Sequence, residues 1–274
     1  MSDRPEIQNS VKTGKYMTNY LECGEGFPIV FIHGSGPGVS AYANWRLALP
    51  EVSKHAHCYA PDMLGFGYSE KPLDVEYGCE LWTQQIKDFI DALGLEQVDL
   101  VGNSFGGSLA LSMAIKYPER IRNLIMMGPM GTTFECKSVG LNDVWGYRPS
   151  AENMFKMLNL FVDNKKFATR ELADVRYQAS IQPGFQEVWE VMFQEPLQDM
   201  VENLSFSDEE VSKVKHRTLI VHGRDDQVIP LSNTFHFGEL MENADIHIFS
   251  HCGHWSQIEK SKEFAQLVCN FIEG

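Results

Sequence analysis

The stretch "VDLVGNSFGGSLALS", Val98 to Ser112, decides the fold. It opens as an apolar strand-type run and closes as a helix-forming one. Between them Gly102-Asn103-Ser104-Phe105-Gly106 makes the pattern G-x-S-x-G. A sharp strand-to-helix turn forces its central serine into a strained backbone conformation, and flanking glycines remove the side chains that would collide. The hydroxyl is then held at the sheet edge, over a helix N-terminus. The amide of Phe105 is aimed at the same spot, where it can meet a developing oxyanion. G-x-S-x-G by itself is common in glycine-rich chains. The strand–turn–helix context, with Gly107 to allow close packing, makes Ser104 the candidate nucleophile.

A serine hydroxyl is a weak nucleophile near neutral pH and needs a base, which in turn needs an orienting group. In this architecture the chain order is serine, acid, histidine. "IVHGRDDQVIP" follows a strand and offers Asp225 and Asp226, and "SHCGHWSQ" follows the next and offers His251 and His254. Asp226 is the better placed, because Val228 and Pro230 resume packing after the turn. His254 follows Gly253 in a loop that enters the last helix. Asp225 reads as a structural or solvated loop carboxylate and His251 as a surface histidine. His33 and His222 each end a strand before glycine and read as local hydrogen-bonding groups.

Working outward, strand-type runs at Phe27–Gly34, in "AHCYAPDMLGFG", and at "QVDLVGNS" and "IRNLIMMGP" alternate with helical patterns "ELWTQQIKDFIDALGL" and "GGSLALSMAIKYP". That rhythm predicts right-handed crossovers and a mostly parallel sheet flanked by helices, an α/β class. It breaks from about Gly131 to Val214, where "SAENMFKMLNLFV", "TRELADVRYQASI" and "FQEVWEVMFQ" are helix-like and Pro149, Pro183 and Pro196 interrupt. Strands return in "RTLIVHG" and "DIHIFS", and "SKEFAQLVCNFIEG" closes as a helix. Residues 1–130 and 215–274 are thus expected to form the core, and 131–214 an inserted helical lid. The lid is rich in Met and aromatic residues. Most of these would serve an ordinary helical core, while an inner face could line an apolar pocket.

The chain has 274 residues, 43% of them hydrophobic, which suits one large domain with an insertion. A net charge of −14 disfavours nucleic acid and anionic membranes as partners, and requires a local cation for any anionic substrate. No apolar run has the length of a membrane helix, and the N-terminus lacks a signal-peptide core. Six scattered cysteines without a CxxC pair read as reduced thiols of a cytoplasmic protein. The nine histidines lack metal spacing, so no metal or cofactor is expected. "HGSGPGVSAYANWR", His33 to Arg46, imitates a dinucleotide loop but has Val39 where G-x-G-x-x-G needs glycine, and it lacks GK[ST]. A first-strand loop beside a serine elbow instead supplies a second oxyanion donor, here the amide of Ser35.

These strings, with "APDMLGFGYSEKP", "LNDVWGYRPSAENM", "RYQASIQPGFQE", "HGRDDQVIPL" and "CGHW", resemble the meta-cleavage product hydrolases. These are α/β-hydrolases that cut carbon–carbon bonds in aromatic-ring degradation. The likeness runs from about Tyr20 to the last helix. The two lid strings resemble the branch acting on 2-hydroxymuconic semialdehyde and its 6-alkyl ketone relatives more than the biphenyl-type branch. The resemblance implies Ser104, Asp226 and His254 as the triad and the amides of Ser35 and Phe105 as the oxyanion hole. It implies Asn44, Asn103, Arg176 and Trp255 at the dienoate end of a small-molecule substrate, Phe161 as a lid aromatic facing the pocket, and self-association. Taken alone, Arg176 would be a helix-surface arginine. Met130 is bulky where some relatives have a smaller residue, which implies a small group at the distal carbonyl if it faces the pocket. Two other functions fit the same motifs. An ester or lactone hydrolase would use the triad without needing Arg176, and a non-catalytic receptor would leave the triad idle. Dehalogenases and epoxide hydrolases are disfavoured, because they carry aspartate where Ser104 stands.

Overall fold

The computed structural model describes residues 4–274. Eight strands form one sheet: β1 (Asn9–Thr13), β2 (Tyr16–Cys23), β3 (Pro28–Ile32), β4 (His57–Pro61), β5 (Val98–Asn103), β6 (Ile121–Met127), β7 (Arg217–Gly223) and β8 (Ala244–Phe249). Their order is β1-β2-β4-β3-β5-β6-β7-β8. The β1–β2 and β2–β4 pairs are antiparallel and the remaining five pairs parallel. From β3 the chain first moves to β4 on one side, then crosses to β5 on the other. The crevice beyond the carboxyl ends of β3 and β5 is therefore the switch point where ligands of open α/β sheets bind. The loop after β3 and the serine elbow after β5 both open there.

The α-helices in chain order are α1 (Ala41–Trp45), α2 (Leu49–Val52), α3 (Cys79–Ala92), α4 (Phe105–Lys116), α5 (Leu141–Trp145), α6 (Ala151–Phe161), α7 (Arg170–Ser180), α8 (Phe185–Met192), α9 (Gln198–Asn203), α10 (Asp208–Ser212), α11 (Leu231–Leu240), α12 (Ser256–Glu259) and α13 (Ser261–Glu273). Every residue of β5 is buried, as expected for a strand covered on both faces. One face packs Trp45, Val52, Phe264 and Val268 from α1, α2 and α13 against Ile29, Phe31 and Val101. The other carries α3 and α4, and its core continues without a break into Met154, Met157, Leu158, Trp189 and Met192 of α6 and α8. Between β6 and β7 the described residues hold helices and no strand. Ser150 and Thr169 start α6 and α7 by accepting from the third residue's N–H, at 3.0 and 3.1 Å. The six strand-type runs and six helical patterns all form elements. The β1–β2 hairpin and α11 had no counterpart in the sequence reading. β1 is a largely exposed edge strand with a polar sequence, and it turns at Gly14 with φ +58°.

Candidate active site

Ser104 stands between β5 and α4 with φ 54° and ψ −114°, a left-handed backbone that costs a non-glycine residue about 1–3 kcal/mol. Backbone hydrogen bonds hold it there. Its N–H donates to the Met127 carbonyl at 2.8 Å, and its carbonyl accepts from Gly107 at 2.9 Å and Met130 at 3.1 Å. The flanking glycines are steric necessities. A Cβ on Gly102 would sit 2.2 Å from the Gly106 carbonyl oxygen, and one on Gly106 would sit 2.3 Å from that of Ile32.

Asp226 follows β7 and His254 follows β8. His254 Nδ1–H donates to Asp226 Oδ2 at 2.7 Å, which leaves Nε2 as the acceptor on the other side of the ring. Asp226 Oδ1 accepts from the N–H groups of Val228 and Ile229 at 2.7 and 3.0 Å. Its Oδ2 lies 3.0 Å from Nε2 of a second buried histidine, His222. Burial alone would raise the Asp226 carboxyl, but His254 and His222 hold it well below its ordinary value. Ser104 and His254 face one cavity, with no hydrogen bond between their side chains among the described residues. Apo hydroxyl–imidazole pairs are commonly that loose. The rejected alternatives lie elsewhere. Asp225 takes up Arg224 and the Cys252 N–H, both at 3.4 Å, and His251 is exposed.

His33 fixes the loop after β3. Burial pushes its ring down to about 4, so the imidazole is neutral. Nε2 accepts from the Met63 N–H at 2.9 Å, so the proton sits on Nδ1 and donates to the Gly34 carbonyl at 2.7 Å. In a trans peptide the N–H points away from the carbonyl, so that bond also aims the Ser35 amide. Among the described residues, neither the Ser35 nor the Phe105 amide donates to a protein acceptor. The Ser35 hydroxyl accepts from Trp145 Nε1 at 2.9 Å, tying α5 to the loop.

The cavity is lined by Asn44, Asn103, Phe161, Arg176 and Trp255 as well as Ser35, Ser104 and His254. Two arginines, Arg46 and Arg176, line it and no carboxylate does among the described residues. Arg176 is buried, not a surface residue. It donates from one terminal nitrogen to the Pro37 carbonyl at 3.1 Å, its Nε has no partner, and its guanidinium lies 5.9 Å from the Trp255 ring centroid. Burial, and then the neighbouring Arg46, lower it to about 10, which leaves it charged near neutrality. Asn44 Oδ1 accepts from Gly34 at 3.4 Å while its Nδ2 is buried without a partner. Buried groups without partners at a cavity wall are what a polar ligand satisfies.

Three features of the site have no local signal in the sequence. Gln257 is a buried lining residue whose Oε1 has no partner, and it was not read as a site residue. Glu259 joins α6 to the His254 loop. Its carboxylate accepts from Gly253 at 2.6 Å, Asp163 at 3.2 Å and Asn164 at 2.7 Å, while Trp255 N–H donates to the Phe161 carbonyl at 3.0 Å. Along this seam the Phe161 ring stacks on Trp255 at 4.6 Å and on His254 at 5.9 Å between centroids. His222 is the third, through its contact with Asp226. Met130 is fully buried and is not among the residues that line this cavity. Outside the cavity, Asp163, Asp225 and His251 bring potential metal-ligand atoms within 4.8 Å of one another near the surface.

Comparison with known proteins gives this arrangement its lineage. Residues 28–261 match the family model of the alpha/beta hydrolase fold. The chain is 47% identical over 267 residues to 2-hydroxy-6-oxo-2,4-heptadienoate hydrolase of Pseudomonas putida, covering 97% of this chain and 96% of that protein. It is 46% identical over 268 residues to 2-hydroxymuconate semialdehyde hydrolase of a Pseudomonas species, covering 98% and 94%. A meta-cleavage product hydrolase from Pseudomonas fluorescens IP01, solved as a serine-to-alanine variant with acetates, superposes with a TM-score of 0.97 at 47% identity, over 98% of this chain and 99% of that one. By fold, by sequence and by near-complete coverage, the chain belongs to the meta-cleavage product hydrolases of the alpha/beta hydrolase family.

Proposed function

We propose that the protein hydrolyses the C–C bond of 2-hydroxymuconic semialdehyde or 2-hydroxy-6-oxohepta-2,4-dienoate type ring-cleavage products. The observation that carries this reading is a buried arginine with no acidic partner among the described residues, Arg176, in the same cavity as Ser104 and His254. A carboxylate is the natural counter-ion of that guanidinium, and Asn44, Asn103 and Trp255 lie beside it. The dienoate end lies there, and the distal carbonyl reaches the serine and the amides of Ser35 and Phe105.

The reaction has two stages. The 2-hydroxyl proton is lost and a proton is added at C5, giving a 2-oxo-3-enoate, with His254 as the shuttle. The new ketone is an electron sink for the bond to be broken. Ser104, or water that it activates, then adds to C6, and the oxyanion rests on the two amides. The C5–C6 bond breaks, its electron pair flows toward the 2-oxo group, and a proton completes 2-hydroxypenta-2,4-dienoate. Water supplies the remaining oxygen and hydrogen of the small carboxylic acid. Asp226 orients His254 and stabilises the imidazolium. No step draws on a metal or cofactor.

Residues 131–214 act as the lid, and Phe161 presents its inner aromatic face. Self-association and a cytoplasmic location belong to the same reading, supported by six free cysteines and by two open sheet edges at β1 and β8. No helix among the described residues is long and apolar enough to cross a membrane. The test is to mix purified protein with the yellow ring-cleavage products of catechol and 3-methylcatechol and follow bleaching. Ser104→Ala should cut the rate by about 10³-fold or more, and bleaching at the wild-type rate would remove serine from the mechanism.

A further inference from the structure

We propose that His222 is a positioning residue of the reaction, a second imidazole donor that holds the Asp226 carboxylate and limits how much of its charge reaches His254. The inference rests on the triad reading above. His222 is the penultimate residue of β7, four residues before Asp226, and is fully buried. A carboxylate with its proton lost can only accept, so the 3.0 Å contact to Asp226 Oδ2 places a proton on His222 Nε2. That leaves Nδ1 as the acceptor for the Thr234 hydroxyl, 2.6 Å away on α11. The Ile229 carbonyl, 3.3 Å from Nε2, faces the same proton and excludes the opposite tautomer. Thr234 therefore donates to His222 and His222 to Asp226, while His254 donates to the same carboxylate from the other side, so both imidazoles converge on Asp226.

The consequence lies in the sharing. Oδ2 serves two imidazoles at 3.0 and 2.7 Å, while two backbone amides occupy Oδ1. A bond to His222 draws charge away from the one to His254. Without it Asp226 would stabilise the His254 imidazolium more strongly and hold that ring protonated to higher pH. It would also lose the bond that stops the carboxylate from turning. The neighbouring titratable and charged groups are Asp225 and Cys252 in the two loops, Glu259 and Lys260 beyond them, and Arg176 and Arg46 across the cavity. All of them are left unchanged by the substitutions below.

The test compares pH profiles of kcat/KM for His222→Leu, His222→Gln and Thr234→Val with the wild-type protein, using the bleaching assay, with melting temperatures alongside. His222→Leu should move the acidic limb up by about 0.5 pH unit or more and lower kcat by about 10- to 100-fold, the usual scale for losing an outer partner of a site residue. His222→Gln, whose amide can still donate, should restore most of both. Thr234→Val leaves the imidazole in place and should shift the limb in the same direction by less. An unmoved acidic limb in His222→Leu, with only a lower melting temperature, would overturn the inference. If that variant fails to fold, an unmoved limb in Thr234→Val overturns it, and a shifted one supports it. Asp226→Asn runs beside them. Full activity there would defeat the triad reading, whereas an inactive Asp226→Asn with an unmoved His222→Leu profile defeats only the role of His222.

Discussion

Replacing Arg176 by methionine should make the protein no less stable while nearly abolishing its activity. The guanidinium is buried, lacks a carboxylate partner among the described residues, and is lowered from 12.5 to about 10 by burial and by Arg46. A cation with a depressed folded-state pKa destabilises the fold at every pH below that value and ceases to do so as pH rises toward the unfolded value. At neutral pH the fall corresponds to about 3 kcal/mol. Methionine keeps much of the volume but gives up the hydrogen bond to Pro37 and the contact with Trp255, worth about 1 kcal/mol each. The net change should lie between zero and about 2 kcal/mol of stabilisation. For catalysis the sign reverses. A substrate carboxylate desolvated without its cation costs about 3–5 kcal/mol, or about 10²- to 10⁴-fold in kcat/KM. Urea unfolding at pH 7.5 and the bleaching assay on the same preparations measure both. A carboxylate such as acetate should raise the melting temperature of the wild-type protein more than that of the variant. Two results would refute the reasoning: a variant less stable by 2 kcal/mol or more, which makes Arg176 a structural residue, or one with wild-type kcat/KM, which favours ester or lactone hydrolysis.

Two further predictions concern residues that shape the site from outside. Glu259→Gln replaces an acceptor facing the Asn164 N–H by a donor, so it should cost about 1–3 kcal/mol and lower kcat about tenfold by loosening the His254 loop. Unchanged unfolding and turnover would show the seam to be idle. His33, lowered from 6.5 to about 4 by burial, binds its proton more readily when unfolded, so its stability contribution is present above 6.5 and lost as pH falls toward 4. Wild-type protein should therefore lose about 3 kcal/mol more than His33→Gln between pH 7.5 and 4. Equal losses in urea titrations at the two pH values would contradict the neutral, fully buried imidazole.

What the sequence made legible is what depends on neighbours in the chain. The serine elbow could be read because its sterics involve only Gly102, Gly106 and the turn between them. The alternation of strands and helices followed from apolar periodicity. Chain order and the packing residues beside them brought Asp226 and His254 forward as candidates, and folding brings the two within 2.7 Å of each other. The β1–β2 hairpin lacks that periodicity, since its edge strand is mostly solvated. The function of Glu259 arises only when residues 161–164 and 253 meet around it. Likewise His222 reads as a local hydrogen-bonding group until folding brings its ring to Asp226. Arg176 needed a family resemblance, because nothing in "RYQASIQPGFQE" indicates that one side of its helix faces a cavity.

The seam between α6 and the His254 loop has a consequence for exchanging parts among related proteins. Gly253 has no room for a side chain, since a Cβ there would fall 2.8 Å from both the Phe161 carbonyl oxygen and the Asp163 nitrogen. A chimera that imports residues 131–214 from another member therefore brings a backbone that must fit residues 253–259 of the host within a few tenths of an ångström. The unit of recombination is not the insertion alone but the insertion with the segment carrying His254, Trp255 and Glu259. Chimeras cut at both places should retain turnover that insertion-only grafts lose.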